Sequence, residues 1–335
     1  MQPIWLLRNT YLIAYMRALR EHGVAPEPLL EKYGIAPDFE LIPDYMVSAR
    51  LLYEYLAEAA GHGAPGAVSA AAGLFNAASQ PNPFSDAAWK AVSLLEAIRR
   101  HDANVTRYSP ENRFTISVSN GVGRWEKQDR SPLAETEIFC VSNLVGHARS
   151  VLGKDWSPAR VDVSVAEPST LASLPLFEGV EICRVPTSAA IHIPAPLLAA
   201  TVRSRDAARS DRRPPSDLGD LDFVQSLREL VRSYVRVRDF GIDKIARAAG
   251  MSRRTLQRRL SEVGVSYTAL VDQVRFEIAR ELLLVSPKLA VTHIGYELGY
   301  RDPGSFTRAF RRFAGTSPAA FRRSTAAVIP RAEVA

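Results

Sequence analysis

Cysteine is scarce in this 335-residue chain, which holds only Cys140 and Cys183, each in an apolar run. No Cys-x-x-Cys pair and no Cys/His cluster occurs, so the sequence predicts neither a zinc site nor a disulfide framework. The six histidines are also dispersed, and none belongs to a catalytic or metal-binding motif. We therefore expect no metal, no cofactor and no catalytic residue, and we predict that the protein is not an enzyme.

Long apolar runs are missing as well. No stretch approaches the ~18–20 residues that a membrane span needs. The apolar residues at the start of the chain are followed at once by Arg8, without a small-residue cleavage site, which argues against a signal peptide. We expect a cytoplasmic protein with no membrane partner.

Acidic residues are absent from 303–322, a stretch in which arginines alternate with aromatic residues. This imbalance extends over the C-terminal third. Residues 1–219 contain 22 Lys/Arg and 24 Asp/Glu, a net charge of −2, whereas residues 220–324 contain 19 and 11, a net charge of +8. A basic domain indicates a polyanionic partner. The alternative is a basic surface that serves only solubility.

The charge changes at a polar segment, residues 203–219, which contains Pro214-Pro215 and lacks apolar periodicity. This segment is typical of an exposed linker, and a chain of this length is expected to form two domains. We predict an N-terminal domain over 1–202, a C-terminal domain over 220–324 and a tail over 325–335.

The N-terminal domain is predicted to be α+β. Asn120-Gly121 separates two short alternating segments and predicts a hairpin. The apolar stripe on the helix predicted over 131–153 indicates either core or a dimer seam. Periodicity predicts helices over 47–61, 83–101 (capped by Ser85) and 131–153, and strands over 159–167, 179–186 and 189–194.

The C-terminal domain reads as helical throughout and contains an internal repeat. Residues 242–270 align with 291–321 at offsets of 49 to 51, and Gly250 aligns with Gly299. Each copy is a short helix, a glycine turn, an N-cap and a second helix with one apolar and one basic face. This pattern predicts an all-α domain with two helix-turn-helix motifs, joined by a long helix over 266–284. Phe306, Phe310 and Phe313 are expected in the core of the second copy.

Residues 221–323 resemble the AraC/XylS-type double helix-turn-helix DNA-binding domain. The resemblance runs through IARAAGMSRRTLQRRL and IGYELGYRDPGSFTRAFRRFAGTSPAAFR. Residues 1–202 resemble the arabinose-binding-like effector domain of a subgroup of these regulators, through LLEKYGI and VEICRVPTSAAIHIPAPLL. The resemblance implies a transcription activator whose N-terminal domain binds a small effector and forms a homodimer, and whose C-terminal domain binds promoter DNA and contacts RNA polymerase.

The resemblance also assigns residues to DNA. Arginine can bond guanine and glutamine can bond adenine in the major groove, whereas flanking arginines meet phosphates. The base-reading positions are Arg254, Gln257 and Arg258 in the first copy and Ser305, Thr307 and Arg308 in the second. The phosphate-contact positions are Arg253, Arg259, Arg311 and Arg312. Pro303 and Gly304 depart from the family's longer polar side chains, so we expect the second helix to be the weaker reader.

The effector site is left unassigned by the sequence. Trp89, Trp125 and Phe75 are either pocket residues or ordinary core aromatics, and Arg107 or Arg124 is a candidate anchor for a carboxylate. An organic acid, an amino acid or a fatty acid would suit such a domain. Two other functions stay open: a constitutive architectural DNA-binding protein, and a DNA-repair enzyme with a DNA-binding tail.

Overall fold

The structure is a computed structural model that divides into two compact units. The N-terminal unit holds residues 5–33 and 37–221, and the C-terminal unit holds residues 222–335 together with 1–4 and 34–36. The predicted linker, 203–219, lies outside the described residues. The residues described are 3–35, 39–41, 45–79, 83–88, 91–105, 109, 112–128, 131, 133–202, 221–237, 240–286 and 288–326.

The N-terminal unit mixes helices and strands, which confirms the predicted α+β class. Its strands are β1 (Leu6–Arg8), β2 (Met46–Ser48), β3 (Phe114–Ser119), β4 (Val122–Lys127), β5 (Arg160–Val163), β6 (Glu181–Arg184) and β7 (Ala190–Pro194). Its helices are α1 (Thr10–Glu21), α2 (Glu27–Tyr33), α3 (Ala49–Ala60), α4 (Ala67–Ala78), α5 (Pro83–Ala88), α6 (Leu94–Asn104), α7 (Ala134–Leu152), α8 (Pro168–Ala172) and α9 (Ala195–Leu198).

Five of the strands form one sheet in the order β3-β4-β7-β5-β6. All neighbours are antiparallel except β5 and β6, which run parallel. The predicted hairpin is confirmed: β3 and β4 are joined at Asn120-Gly121, and both residues have positive φ (49° and 76°). That geometry matches a type I′ turn, which suits the twist of paired strands. β1 and β2 form a separate antiparallel pair.

Helix α7 packs its predicted apolar stripe into the core beside this sheet. Ile138, Val141, Val145 and Ala148 on that stripe are buried with sheet residues such as Ile191. The stripe is therefore core within this unit. The first turn of α7 also carries a buried carboxylate, Glu137, which the sequence does not mark as exceptional. Glu137 accepts hydrogen bonds of 2.6–2.8 Å from the Ser164 hydroxyl and from three successive backbone amides.

The helix predicted over 83–101 is wrong, because the structure has two helices, α5 and α6, in that range. Ser93 is extended (φ −136°, ψ 161°), caps α6 through the amide of Glu96 and forms a β-bridge with Thr201. A partner about 100 residues away therefore sets the break. Ser85, the predicted cap, lies within α5 instead.

The sequence does not predict helix α4, which packs closely against α7. Gly73 of α4 faces the backbone of α7: a Cβ added there would lie 2.5 Å from the carbonyl oxygen of Phe139. Gly146 of α7 is equally constrained, with an added Cβ 2.5 Å from the Cβ of Ala77. Two glycines, one on each helix, thus let α4 and α7 approach backbone to backbone.

The C-terminal unit is helical over its described residues, as predicted. Its helices are α10 (Phe223–Tyr234), α11 (Ile242–Ala248), α12 (Arg253–Glu262), α13 (Tyr267–Val285), α14 (Val291–Glu297), α15 (Pro303–Ala314) and α16 (Pro318–Ala326). Helix α13 occupies the centre and contacts α10, α14, α15 and α16. Among the described residues of both units, no helix combines the length and apolarity that crossing a bilayer requires.

We predict that Gly73→Ala destabilises the N-terminal unit by about 1–3 kcal/mol, because the new methyl group must push α4 and α7 apart. Urea unfolding monitored by tryptophan fluorescence measures the change. Gly63→Ala is the matched control: an added Cβ at Gly63 meets its nearest atom at 3.4 Å, an ordinary contact. Equal stability of Gly73→Ala and the control would show that the close helix contact is not needed.

Candidate nucleic-acid interface

Two helix-turn-helix motifs form where the repeat predicts them. The first is α11, a turn and α12, and the second is α14, a turn and α15. In both turns the aligned glycine is left-handed, with φ of 70° at Gly250 and 78° at Gly299. Side chains other than glycine rarely adopt that conformation, so the repeated glycine marks the same sharp turn in both copies.

The second helix of each motif begins at the predicted N-cap. The hydroxyl of Ser252 accepts a hydrogen bond from the amide of Thr255 at 3.1 Å. The carboxylate of Asp302 accepts from both the amide and the hydroxyl of Ser305, at 2.8 and 2.6 Å. These hydrogen bonds, first that from the Ser305 hydroxyl, hold the pKa of Asp302 below its usual value. Asp302 therefore stays ionised at the positive end of α15, where a negative charge is stabilising.

Each of these helices buries its apolar face and leaves its polar face to solvent. Leu256 and Leu260 of α12 are buried, as are Phe306 and Phe310 of α15. Phe313 departs from the prediction: it is 41% exposed. Its ring stacks on Phe276 of α13 at 5.2 Å, at the edge of the core. Phe313 follows Phe306 by seven residues and Phe310 by three, so it lies on the same stripe, but it belongs to the last turn of α15, which ends at Ala314.

Helix α13 is tied to its neighbours by ion pairs as well as by apolar contact. Arg228 and Arg232 of α10 pair with Glu277 and Glu281 of α13, one turn apart. On another side, Phe276 contacts Phe310 of α15 at 5.1 Å. The helix between the two motifs is thus held on several sides, and it acts as a spacer of fixed length.

The predicted base-reading residues of the first motif share the exposed face of α12. Arg254, Gln257 and Arg258 are all exposed. Arg258 lies 3.7 Å from Glu262, and its side chain keeps 70% of its surface exposed. Within the described parts of the chain, the side chains of Arg254 and Gln257 form no hydrogen bond. Their donors are therefore available to a partner outside the protein.

The corresponding residues of the second motif are engaged within their own helix. Arg308 donates to the Ser305 hydroxyl at 3.0 Å, and Ser305 in turn donates to Asp302. The Thr307 hydroxyl donates to the carbonyl oxygen of Pro303 at 2.9 Å. These hydrogen bonds, which the sequence did not reveal, occupy the hydroxyl donors of Ser305 and Thr307 and one of the five N–H donors of Arg308.

The four predicted phosphate contacts differ in their surroundings. Arg253 lies 3.3 Å from Asp243, and Arg312 lies 2.6 Å from Asp272, so both carry a local counter-charge. The guanidinium of Arg259 lies 5.4 Å from the ring centre of Phe223, an arrangement that favours cation–π attraction. Arg311 is exposed on the last turns of α15. Asp243 and Asp272 therefore offset part of the positive charge of Arg253 in α12 and of Arg312 in α15, respectively.

The N-terminal residues proposed from the sequence do not converge on one site. Trp89 and Arg107 lie outside the described residues. Trp125 is a core residue, fully buried, with its indole N–H bonded to Asp102 at 3.1 Å. Arg124 donates to Asp162 and pairs with Glu126, and Phe75 lies under the guanidinium of Arg17. Arg124 is therefore already neutralised by carboxylates of its own unit.

Comparison with known proteins places a family domain in the C-terminal unit. Residues 245–324 match a family model described as a helix-turn-helix domain. The chain is 31% identical over 113 residues to the transcriptional activator NphR of Rhodococcus sp, covering 34% of this chain and 33% of NphR. It is 45% identical over 74 residues to the regulator VqsM of Pseudomonas aeruginosa, covering 22% of each chain. The matches thus span a third or less of these relatives.

A solved structure, the transcriptional regulator CdpR of Pseudomonas aeruginosa, aligns over 92% of this chain and 97% of its own, at 20% identity and a TM-score of 0.36. A TM-score that low carries no argument about fold or function. The family model matches residues 245–324, and the two helix-turn-helix motifs, α11 to α15, lie almost entirely within that range. Residues 245–324 of the C-terminal unit are therefore a helix-turn-helix domain, which overlaps the range 221–323 for which the sequence predicts one.

Proposed function

We propose that this protein is a sequence-specific DNA-binding transcription regulator, controlled by a small-molecule effector and acting as an activator. The observation that carries the proposal is the pair of helix-turn-helix motifs held by α13. Nineteen residues at 1.5 Å per residue make α13 about 28 Å long, and one turn of DNA is about 34 Å. Helices α12 and α15 are thus proposed to enter successive major grooves on one face of promoter DNA.

The two recognition helices are assigned different roles. Arg254, Gln257 and Arg258 of α12 read bases, because all three side chains are exposed and the nearest charge to Arg258 is that of Glu262 at 3.7 Å. Ser305, Thr307 and Arg308 of α15 read less, because the two hydroxyl donors and one N–H donor of Arg308 are already bonded within the motif. The phosphate contacts come from Arg253, Arg259, Arg311 and Arg312, and they supply affinity that is independent of sequence and falls with salt.

Regulation is proposed to follow from effector binding in the N-terminal unit. The effector favours one arrangement of two DNA-binding domains in a homodimer, which is a population shift. The activated form then recruits RNA polymerase in the cytoplasm. The names of the matched relatives, an activator and a regulator, support this role.

The two alternatives have less support. A DNA-repair enzyme that transfers a group from DNA to its own cysteine needs a thiolate as the nucleophile. Burial raises the pKa of Cys140 to about 12, so this thiol stays protonated. The pKa of Cys183 is also raised, by its hydrogen bond to Glu181. A constitutive architectural protein would need no sequence preference. The side chains of Arg254 and Gln257 are exposed and form no hydrogen bond among the described residues. They therefore favour a protein that reads bases over an architectural protein without sequence preference.

Selection of the full-length protein on a random-sequence duplex pool tests the proposed function. The selection is run at near-physiological salt, with and without a pool of small metabolites. We expect one enriched motif whose protected bases span two successive helical turns. Salt-sensitive binding without an enriched motif under either condition would contradict a regulator and favour the architectural alternative.

We predict that Arg258→Ala lowers discrimination between the selected motif and random DNA by about tenfold or more, because a good arginine–guanine pair is worth about 1–3 kcal/mol. Arg308→Ala is expected to lower it less, since Arg308 is tethered to Ser305. The ratio of specific to non-specific Kd at fixed salt is the measurement. Arg280→Ala, which removes an exposed arginine from α13, controls for charge. Equal loss of discrimination in the two recognition-helix variants would overturn the ranking.

A further inference from the structure

The N-terminal unit contains a largely enclosed cavity beside α7. One wall is the face of α7 opposite its core stripe, on which Thr136, Phe139, Asn143 and His147 follow one another at spacings of three or four residues. Residues of β1, α1, α3 and β3 contribute to the other walls. Because these elements are far apart in the sequence, the sequence did not reveal the cavity.

The size and the lining of the cavity limit its occupant. Its volume is about 60 Å³, counted as space for the centres of water molecules. A single water needs roughly 10–15 Å³ on this scale, so the cavity has room for about four to six water-sized groups. Leu52, Leu56 and Phe139 give the wall apolar surface. The cavity therefore suits a compact apolar body, either one ring or a short chain.

One polar atom of the wall lacks a partner among the described residues. His147 is 1% exposed, and its Nδ1 atom forms no hydrogen bond there. Phe84 stacks on the ring, with the two ring centres 4.6 Å apart, and so restricts its plane. Burial holds the pKa of His147 well below its usual value, so the ring is neutral. A buried polar atom of this kind costs free energy unless something bonds to it.

The described lining residues offer a ligand no uncommitted charge. Lys127 already has an interaction partner within the protein, and Nδ1 of His101 lies 3.0 Å from a carboxylate oxygen of Asp102. No aspartate or glutamate occurs among the described residues that line the cavity. A charged ligand would therefore be buried without a counter-charge of its own, which is costly. The wall favours a neutral occupant over the organic acid, amino acid and fatty acid that the sequence left open.

We propose that this cavity binds a small neutral molecule with a hydroxyl group on an apolar body of one ring or a short chain, and that this molecule is the effector. The hydroxyl bonds to Nδ1 of His147, and Leu52, Leu56 and Phe139 cover the apolar body. A hydroxyl both donates and accepts hydrogen bonds, so it serves Nδ1 in either tautomer of the ring. The role as effector rests on the proposed regulatory function, whereas binding to the cavity does not.

The first test titrates three probes of similar shape into the full-length protein by calorimetry. Phenol carries the hydroxyl and keeps its proton at neutral pH, toluene has a methyl group in the same place, and benzoate carries a charge. We expect phenol to bind at least about tenfold more tightly than benzoate, because the carboxylate would lose its hydration without gaining a counter-charge. Benzoate binding as tight as that of phenol, or no binding of phenol, would overturn the proposal.

A variant of His147 then locates the hydroxyl group. His147→Phe removes the polar atom and keeps a ring, so the preference for phenol over toluene is expected to fall by about tenfold, equivalent to about 1.4 kcal/mol. Comparing both probes in both proteins cancels their different solvation in water. His62→Phe makes the same change at an exposed position outside the cavity and should keep the wild-type preference. An unchanged preference in a folded His147→Phe protein would refute the assignment.

Nuclear magnetic resonance gives a readout on the unaltered protein, so it also decides if His147→Phe does not fold. The ring nitrogens of isotopically labelled histidines report hydrogen bonding directly, and His147→Gln assigns their signals. Phenol is expected to shift the Nδ1 signal of His147 and to leave the signals of His62 in place. A protein saturated with phenol in which the Nδ1 signal of His147 does not move would contradict the proposed hydrogen bond.

DNA binding separates the two parts of the proposal. The affinity for the selected DNA motif is measured with and without saturating phenol, and a change in either direction supports the effector role. Phenol binding that leaves DNA affinity unchanged would overturn that role. Phenol binding by a protein that selects no motif would leave the cavity assignment intact and refute the regulatory function. Selection of a motif by a protein that does not bind phenol would do the reverse.

Discussion

The backbone contact between α4 and α7 is the constraint on which the N-terminal unit depends. Gly73 and Gly146 leave no room for a side chain, so the two helices lie closer than side-chain packing allows. With α7 fixed in this way, one of its faces enters the core beside the sheet and another lines the cavity. A single helix therefore links the stability of the unit to the shape of the cavity that its other face lines.

Prediction succeeded where the determining interactions are local. The two motifs follow from residues within a few positions of one another: the N-caps Ser252 and Asp302, the left-handed glycines, and apolar residues three or four apart. The hairpin at Asn120-Gly121 is likewise encoded by its own turn residues. In these elements the local residues restrict the backbone to one conformation, so the repeat in the sequence gives a repeat in the structure.

Prediction failed where distant residues decide. Helix α4 is rich in alanine and is covered by α1 and α7, so its sequence lacks the polar face that marks an amphipathic helix. The break before α6 depends on the bridge from Ser93 to Thr201. The cavity beside α7 brings together residues from β1 to α7, which lie far apart in the sequence. The hydrogen bond from Arg308 to Ser305 was also not predicted from the sequence, although the two residues are only three positions apart.

The connecting helix α13 has an evolutionary consequence. An α-helix advances 1.5 Å and turns about 100° with each residue. One residue inserted into α13 would therefore rotate the second motif to another side of the helix axis, which no small shift along the duplex would restore. In the proposed complex with DNA, the length of this helix and the distance between the two contacted grooves must therefore match. If α12 reads bases as proposed, substitutions on its surface change which bases are preferred, whereas the spacing of the two contacts is set by α13.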